Sequence, residues 1–266
     1  MKKNFAESLR SLLPRLAALP GEVSVFGRDL ATGEDWAYQA DLPLVAASVI
    51  KLPILVEAFR QVRDGQASMD ESFSIRPEQK MPSCGALTYL HDGLSVTFRD
   101  LCVLMIILSD NTATNLLIDR LGMDSINQTI RALGLTQTTL RRKLFDSEAA
   151  ARGLENTITA REMGALLEKL FRGQCVSPDA DEAMLNIMKD QRLNGKMPFF
   201  LHGVKIAHKT GEDDGITHDV GIVYAGHPLI LCFASNHTDV PAFERFIQDA
   251  ALDCYEAIDD ARQHKE

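Results

Sequence analysis

Runs of β-forming residues lie near both ends of this 266-residue chain, and the segments between them have helical periodicity. Near the N-terminus, Val23–Asp29 and Asp35–Ala40 flank a Thr32–Gly33 turn and predict a β-hairpin. After Gly195, apolar runs separated by short turns predict an antiparallel meander over residues 203–210, 218–225 and 228–235. We expect the two ends of the chain to complete one sheet, because strands of a single core must lie side by side.

This distribution predicts the α+β class: an antiparallel sheet formed by N- and C-terminal strands, flanked by helices, with an inserted all-helical subdomain. The α+β part is expected at about residues 1–66 and 196–266, and the helical subdomain at about 67–195. Both belong to a single domain covering 1–266, since the sequence has neither a repeat nor a clean linker.

Helix positions follow from the spacing of apolar residues and from stop signals. The N-terminal segment predicts an amphipathic helix whose apolar face comprises Phe5, Leu9, Leu12, Leu13 and Leu16. A capping box at Thr97–Asp100 predicts the start of a strongly apolar helix. Glycines or polar residues bound further predicted helices at residues 48–64, 112–121, 125–133, 159–172 and 241–262.

The charge balance and the apolar runs exclude two classes of partner. The net charge is −9, and the densest basic cluster is only Arg141–Lys143, so no nucleic-acid partner is expected. A local group of basic side chains can still bind an anionic small molecule. No apolar run approaches the roughly 20 residues that a membrane-spanning helix needs, so no membrane span is expected.

The N-terminal segment bears on localisation. It begins with basic residues, as a signal peptide does, but Glu7, Arg10, Pro14 and Arg15 interrupt any apolar core. As written, the sequence predicts a cytoplasmic protein. A periplasmic or secreted protein is expected if a signal peptide has been removed.

The cysteines and histidines do not form a metal-binding pattern. Of the five cysteines, Cys102, Cys232 and Cys254 lie in apolar stretches and are expected to be reduced core residues. Cys84 lies in a polar loop, where it is either a reactive thiol or an ordinary loop residue. The seven histidines include no H-E-x-x-H pattern, so neither a catalytic metal nor another cofactor is expected.

Three short motifs carry most of the functional information. Ser48–Lys51 reads SVIK, Ser109–Asn111 reads SDN, and Lys209–Gly211 reads KTG. An isolated S-x-x-K is expected by chance in about half of all chains of this composition. All three motifs in this order are much harder to obtain by accident.

Ser48 and Lys51 are one helical turn apart, so their side chains share a face of the predicted helix. A serine hydroxyl needs a base to remove its proton, and a lysine is a base only while it is neutral. Burial and a neighbouring cation, here expected to be Lys209, favour the neutral form. Backbone N–H groups at the helix start would face a developing oxyanion. The alternative is that Ser48 merely caps an apolar helix.

The ordered set S-x-x-K, S-D-N and K-T-G resembles the signature of class A β-lactamases and penicillin-binding proteins. The resemblance covers nearly the whole chain and implies their β-lactamase/transpeptidase-like fold. It implies a Ser48 acyl-enzyme with Lys51 as the base and Ser109 as the proton relay to the leaving group. Asn111 would hold the substrate amide and Lys51, while Asp110 would brace the loop.

The KTG motif is expected to end a strand and enter a turn. By the resemblance, Lys209 supports the proton-relay serine and Thr210 binds the substrate carboxylate. Gly211 would let the substrate approach the backbone as an added strand. The oxyanion hole of the relatives implies the backbone N–H groups of Ser48 and Glu212.

The loop expected to govern deacylation departs from the class A pattern. Those enzymes carry a glutamate in an E-x-x-L-N context that activates water, whereas Arg141–Asn156 reads RRKLFDSEAAARGLEN. Asp146 and Glu148 are the nearby carboxylates that could replace it, or they are solvated loop charges. Arg142 would supply the arginine of the family's ion pair across this loop, but Asn156 stands where the aspartate belongs.

Two more departures concern recognition of a substrate carboxylate. The acidic cluster Glu212–Asp214 is expected to repel such a group. His218–Asp219 replaces an arginine that relatives often carry on the following strand. Acylation is therefore expected, whereas efficient hydrolysis of β-lactams is not.

These patterns favour a serine hydrolase of the class A β-lactamase-like kind that acts on a β-lactam amide. A D-Ala-D-Ala peptidase or an esterase with the same acylation site is the alternative enzyme. A penicillin-binding sensor or inactive relative is the alternative outside enzymes. In each case the partner is a small molecule (a β-lactam, peptide or ester), and the sequence leaves the oligomeric state open.

Overall fold

The computed structural model describes residues 5–259 and divides the chain into two compact units. The first contains the residues up to Val49, Ile158–Glu168, and the residues from Leu193 onward. The second contains Ile50–Thr157 and Lys169–Arg192. Residues 50–66 were predicted to belong with the sheet, whereas the contacts group them with the helices.

The described residues contain nine strands and ten α-helices. The strands are β1 (Glu22–Asp29), β2 (Asp35–Tyr38), β3 (Leu44–Val45), β4 (Ser72–Ser74), β5 (Ser95–Thr97), β6 (Thr157–Ile158), β7 (Ile206–Asp213), β8 (Ile216–Tyr224) and β9 (Pro228–Asn236). The helices are α1 (Phe5–Ser11), α2 (Leu13–Ala17), α3 (Lys51–Arg63), α4 (Phe98–Ile107), α5 (Asn111–Leu121), α6 (Met123–Ala132), α7 (Ser147–Ala151), α8 (Ala160–Phe171), α9 (Pro178–Lys189) and α10 (Val240–Asp259). Short 3-10 turns occupy Ala47–Ile50, Pro77–Gln79 and Leu87–Tyr89.

The first unit is built on a five-stranded antiparallel sheet in the order β2-β1-β9-β8-β7. Strand β1 pairs with β9, for example Val25 with Phe233, so the N-terminal hairpin and the C-terminal meander form one sheet as predicted. Central strand β9 is buried at nearly every position, which explains its continuous apolar run. The α+β prediction is confirmed.

Helices α1 and α10 pack together in the core of the first unit. Phe5 and Leu9 of α1 share this core with Phe233 of β9 and with Phe243 and Phe246 of α10. The rings of Phe243 and Phe246 stack with their centroids 5.9 Å apart. The burial of these apolar side chains is the main favourable contribution to the folding of the unit.

The predicted N-terminal helix is broken into α1 and α2. Pro14 lies at the start of α2, where its missing N–H is tolerated and its ring prevents a continuous helix. Leu13, the first residue of α2, is 39% exposed, so its assignment to the apolar face was wrong. Leu12 and Leu16 are buried as predicted.

The second unit is helical, with the small β4–β5 hairpin beside it. The predicted capping box is present, since Thr97 Oγ1 accepts from the N–H of Asp100 at 3.1 Å and Asp100 Oδ2 accepts from the N–H of Thr97 at 2.8 Å. The buried Glu57 carboxylate of α3 accepts from Arg60 at 2.6 Å and from the Thr129 hydroxyl at 2.6 Å. These bonds compensate the desolvation of a buried charge.

Two helices differ from the sequence prediction. The short helix α7 and the helix α9 were not predicted. The predicted helix at residues 241–262 is α10, whose described part ends at Asp259, so residues 260–262 lie outside the described residues. Among the described helices, none combines the length and apolarity that crossing a membrane requires.

Gly221 allows β7 and β8 to approach closely. A Cβ at this position would lie 2.5 Å from His208 Cβ and 2.6 Å from the Ala207 carbonyl oxygen. We expect Gly221→Ala to lower the free energy of unfolding by about 1–3 kcal/mol, because backbone atoms must shift to admit the methyl group. Urea unfolding followed by circular dichroism measures the change.

Gly195→Ala is the matched control. A Cβ there would meet no heavy atom within 4 Å, so we expect a change within about 0.5 kcal/mol. Equal stability of the two variants would contradict the packing argument.

Candidate active site

Ser48 lies in the 3-10 turn Ala47–Ile50, which leads directly into α3 at Lys51. The predicted helix therefore begins as a tighter turn, and Ser48 precedes the α-helix proper. Ala47 has φ of +41°, in the left-handed region that costs a non-glycine residue roughly 1–3 kcal/mol. Such strain directly before a half-buried serine is typical of a functional position.

Lys51 is the centre of the candidate site in the second unit. Its side chain is 0% exposed, and its ammonium group donates to Ser109 Oγ at 3.0 Å, to Ser109 O at 2.7 Å and to Asn111 Oδ1 at 2.8 Å. The structure therefore brings together Lys51, Ser109 and Asn111, three residues that the sequence assigned to one site.

Ser109 and Asp110 form the bend between α4 and α5. Ser109 is buried and has φ of +53°, so a second strained position lies in the SDN motif itself, after the one that directly precedes Ser48. Asp110 caps α5 by accepting from the N–H of Ala113 at 2.9 Å. Its other oxygen accepts from the N–H groups of Ala86 at 2.7 Å and Leu87 at 2.9 Å. Asp110 thus ties the preceding loop to the helix.

The loop at residues 82–87 packs closely against the SDN motif. A Cβ at Gly85, where φ is +117°, would lie 2.3 Å from Asp110 Oδ2. The N–H of Asn111 donates to the Cys84 carbonyl at 3.3 Å, and the Asn111 side-chain amide donates to the Pro82 carbonyl at 3.3 Å. These contacts fix Asn111 from both its backbone and its side chain.

The KTG motif lies inside β7 of the first unit and not at the end of a strand, so this prediction was wrong. Lys209 pairs with Val220 and Gly211 with His218, and the strand turns only at residues 214–215. Lys209 is fully buried, and its ammonium group donates to the Thr210 carbonyl at 2.7 Å. The D-G pair at the turn favours a tight hairpin and lengthens the strand beyond the motif.

Gly211 has a packing reason to be glycine. A Cβ there would lie 2.9 Å from His218 Cδ2 and 3.2 Å from Val49 Cγ2. A side chain would therefore push against β8 and against the segment that carries Ser48. This requirement acts alongside the predicted role of Gly211 in substrate approach.

His218 is a buried, neutral histidine. Its Nε2 donates to the Val45 carbonyl at 2.8 Å, while its Nδ1 accepts from the N–H of Ser235 at 3.1 Å. The pKa of His218 is lowered to about 4, mainly because the side chain is buried and to a smaller extent because of the positive charge of Lys196. His218 therefore does not replace an arginine as a cation at neutral pH.

Lys196 was missed by the sequence analysis. Its side chain is only 4% exposed, and its ammonium group donates to the carboxylate of Glu212, the residue after KTG. Glu212 is thus neutralised by an ion pair, whereas Asp213 and Asp214 are exposed. The expected acidic cluster contains one paired carboxylate and two solvated ones.

A second unpredicted pair lies behind KTG. Asp219 accepts from the N–H of Met197 at 2.9 Å and lies 2.8 Å from His208 Nδ1. His208 Nε2 lies 3.1 Å from Asn194 Oδ1. No spacing in the sequence indicates this cluster, because its members come from two strands and the segment before them.

The loop at residues 141–156 is closed differently from the family pattern. Asn156 Oδ1 accepts from the N–H groups of Arg141 at 2.7 Å and Arg142 at 3.0 Å. The Arg142 guanidinium pairs with Glu155 at 2.7 Å. The Asn156 side chain therefore holds the loop by binding the backbone of Arg141 and Arg142. The neighbouring Glu155 supplies the carboxylate of the ion pair.

The two carboxylates predicted for deacylation have different surroundings. Asp146 Oδ1 caps α7 by accepting from the N–H of Ala149 at 2.9 Å, and Glu148 is exposed. Neither carboxylate binds Asn115, whose side chain holds Leu144 of the same loop. The Asn115 side chain accepts from the Leu144 N–H and donates to the Leu144 carbonyl, both at 2.9 Å.

A cavity of about 320 Å³ lies beside this loop. Its lining is mixed, with apolar and charged side chains from the loop, α5 and the segment before residue 82: Glu78, Gln79, Met81, Asn115, Leu116, Asp119, Lys143, Leu144, Phe145 and Asp146.

Among the described residues, no group of three or more histidine, cysteine, aspartate or glutamate side chains is arranged to hold a metal ion.

Comparisons with known proteins agree with this geometry. The pattern of the beta-lactamase enzyme family matches residues 4–258. A β-lactamase of Streptomyces lavendulae is 28% identical over 243 residues, covering 85% of this chain and 79% of that protein. The fold and the motifs together define a hydrolase of the serine β-lactamase type.

Solved structures support the same assignment. A β-lactamase from Sphaerobacter thermophilus has a TM-score of 0.88 at 30% identity, over 96% of this chain and 98% of that one. A PBP-A mutant, solved as an acyl-enzyme complex with penicillin G, has a TM-score of 0.85 at 29% identity, over 96% of each chain. The chain belongs to the β-lactamase enzyme family.

The neutral state of His218 predicts a loss of stability in acid. Its pKa in the folded protein is about 4, below the ordinary value of 6.5, so the unfolded chain binds a proton first as the pH falls. The stabilisation is complete above pH 6.5 and is lost progressively towards pH 4. Between pH 7 and 4.5 this group should cost about 2–3 kcal/mol of unfolding free energy.

Urea unfolding at these two pH values checks the prediction. His218→Asn should reduce the difference between them by that amount, even if its stability at pH 7 is lower. The matched variant at exposed His91, His91→Asn, should retain the wild-type difference. An unchanged pH dependence in His218→Asn would show that His218 is not the titrating group.

Proposed function

We propose that the protein forms an acyl-enzyme on Ser48 with a β-lactam or a related small amide or ester. The observation that carries the proposal is the buried contact of Lys51 with Ser109 and Asn111, one turn after Ser48. A lysine enclosed in this way is held at a fixed place beside a serine hydroxyl, which suits proton transfer.

The proposed reaction begins from the form in which the Lys51 ammonium group has lost one proton. The Ser48 hydroxyl then attacks the substrate carbonyl and gives its proton to the neutral Lys51 amine. The new bond between Ser48 Oγ and the carbonyl carbon places negative charge on the carbonyl oxygen. As the C–N bond breaks, the Ser109 hydroxyl gives its proton to the leaving nitrogen. Lys51 then returns a proton to Ser109 across their 3.0 Å contact, so the proton balance closes.

The KTG strand would bind the substrate in this proposal. By the resemblance to the family, Lys209 supports the proton-relay serine, and Thr210 binds a carboxylate where the substrate has one. The N–H groups of Ser48 and Glu212 stabilise the oxyanion. The extended conformation of β7 through Glu212 suits such binding, because an extended strand presents its backbone groups to a ligand.

We further propose that the acyl-enzyme is hydrolysed slowly. The loop has no E-x-x-L-N motif, Asp146 is engaged as a helix cap, and Glu148 points to solvent. The structural similarity to PBP-A favours a second candidate of the same chemistry, a D-Ala-D-Ala peptidase or penicillin-binding protein. An esterase and a non-catalytic penicillin sensor remain the other outcomes of the tests below.

Ser48→Ala should abolish covalent labelling by penicillin G. The wild-type protein should gain the mass of one penicillin molecule, and the variant should gain none, because Ser48 is the nucleophile of the proposed reaction and Ser109 only relays a proton. Intact-mass spectrometry measures both. Ser68→Ala, which removes an exposed hydroxyl, is the matched control and should label like the wild type. Labelling that survives Ser48→Ala would overturn the assignment.

The lifetime of the adduct separates the candidates. We expect a penicillin adduct that persists for minutes or longer together with little nitrocefin turnover, since the loop at residues 141–156 has no E-x-x-L-N motif, Asp146 caps a helix and Glu148 is exposed. Intact mass sampled over time, on the same preparation as the nitrocefin assay, measures both quantities. Rapid loss of the adduct with steady turnover would indicate an efficient β-lactamase instead. Ester turnover without an adduct would indicate an esterase.

A further inference from the structure

The ion pair between Lys196 and Glu212 joins a buried cation to a largely exposed anion. The Lys196 side chain is 4% exposed, whereas the Glu212 side chain is 57% exposed. A buried ammonium group needs a counter-ion, because leaving it unpaired costs several kcal/mol. Glu212 has no such need, since water can solvate its carboxylate when the side chain rotates outward.

Lys196 also lies near a second carboxylate. Glu244 Oε1 is 3.6 Å from the Lys196 ammonium nitrogen and accepts from the Thr217 hydroxyl at 3.0 Å. Lys196 therefore keeps a counter-charge when Glu212 moves away. Another carboxylate can then replace Glu212 as the partner of Lys196, because Glu244 keeps the buried ammonium group paired during the exchange.

The position of this pair connects it to the substrate strand. Glu212 follows KTG directly on β7, the last strand of the sheet, and pairs with Thr217 of β8. A ligand bound along the KTG backbone would therefore lie next to the Glu212 side chain. A carboxylate on that ligand would have to compete with the Glu212 carboxylate for Lys196.

We propose that Lys196 is a carboxylate-binding position that Glu212 occupies internally, so that Glu212 selects against substrates with a carboxylate beside the reacting carbonyl. Glu212 is then a specificity-determining residue. The inference rests on the proposed acylation and adds to it a preference for uncharged substrates, such as neutral amides and esters. Removal of the Glu212 charge would open Lys196 to the substrate carboxylate.

Penicillin G and its methyl ester test the inference, because they differ only in the carboxylate. The quantity to measure is the ratio of their second-order acylation rates, followed by intact-mass spectrometry. Glu212→Gln should raise the ratio of acid to ester about tenfold, the scale of one partly buried ion pair. Asp213→Asn is the matched control, because it removes the same charge from the adjacent exposed residue, and it should leave the ratio within about twofold.

The double variant Lys196→Met/Glu212→Gln tests the cation. It removes both partners, so no buried charge is left without a counter-ion, and it should lose the gain of Glu212→Gln. An equal ratio in wild type and Glu212→Gln would overturn the selection by Glu212. An equal gain in Asp213→Asn would show a general charge effect and would also overturn it.

A binding measurement separates this inference from the proposed acylation. If neither compound acylates any variant, the proposed function fails, and acetate binding at Lys196 is then the test. Nuclear magnetic resonance of protein with labelled lysine side chains should show acetate shifting the Lys196 signal in Glu212→Gln and not in the wild type. The signal is assigned by its loss in the double variant. No shift in Glu212→Gln would overturn the carboxylate-binding position.

Discussion

The buried ammonium group of Lys51 organises the second unit around the SDN motif. A lysine without solvent must find oxygen atoms for its three donors, and here they come from Ser109 and Asn111. Two of these atoms belong to Ser109, which adopts a left-handed backbone that places both its hydroxyl and its carbonyl towards Lys51. Asp110 then fixes the same bend to the preceding loop. The stability of the unit and the proposed chemistry therefore depend on one set of contacts. Well-packed surroundings compensate the backbone strain at Ala47 and Ser109.

The first unit combines an ordinary sheet core with an unusual set of charges near KTG. The core follows from apolar strands covered by α1 and α10. Around the motif, a neutral histidine, a buried lysine and a histidine–aspartate pair occupy positions on β7, β8 and the preceding segment. His218 is neutral at neutral pH and cannot supply a positive charge. Lys196 supplies the positive charge that pairs with Glu212. This arrangement is the basis of the preference for uncharged substrates that we propose.

Much of the fold could be predicted because local patterns agree with it. The capping box at Thr97 and the glycine after α5 fixed helix ends through local hydrogen bonding and backbone freedom. Errors arose where local patterns were weak or competing. Pro14 divided the N-terminal helix and exposed Leu13. KTG was predicted to end a strand, whereas pairing with β8 carries the strand to Asp213.

The sequence by itself determined the class of the fold and the identity of the three motifs, because hydrophobic periodicity and short catalytic patterns are local properties of the chain. It also showed that the loop at residues 141–156 contains no E-x-x-L-N motif. Only the tertiary structure decided that Glu155 pairs with Arg142, that Asn115 holds Leu144, and that Glu212 covers Lys196. These contacts join residues whose pairing depends on burial and on the register of neighbouring segments. A buried charge takes whichever partner the packing brings within reach, and no local pattern specifies that partner.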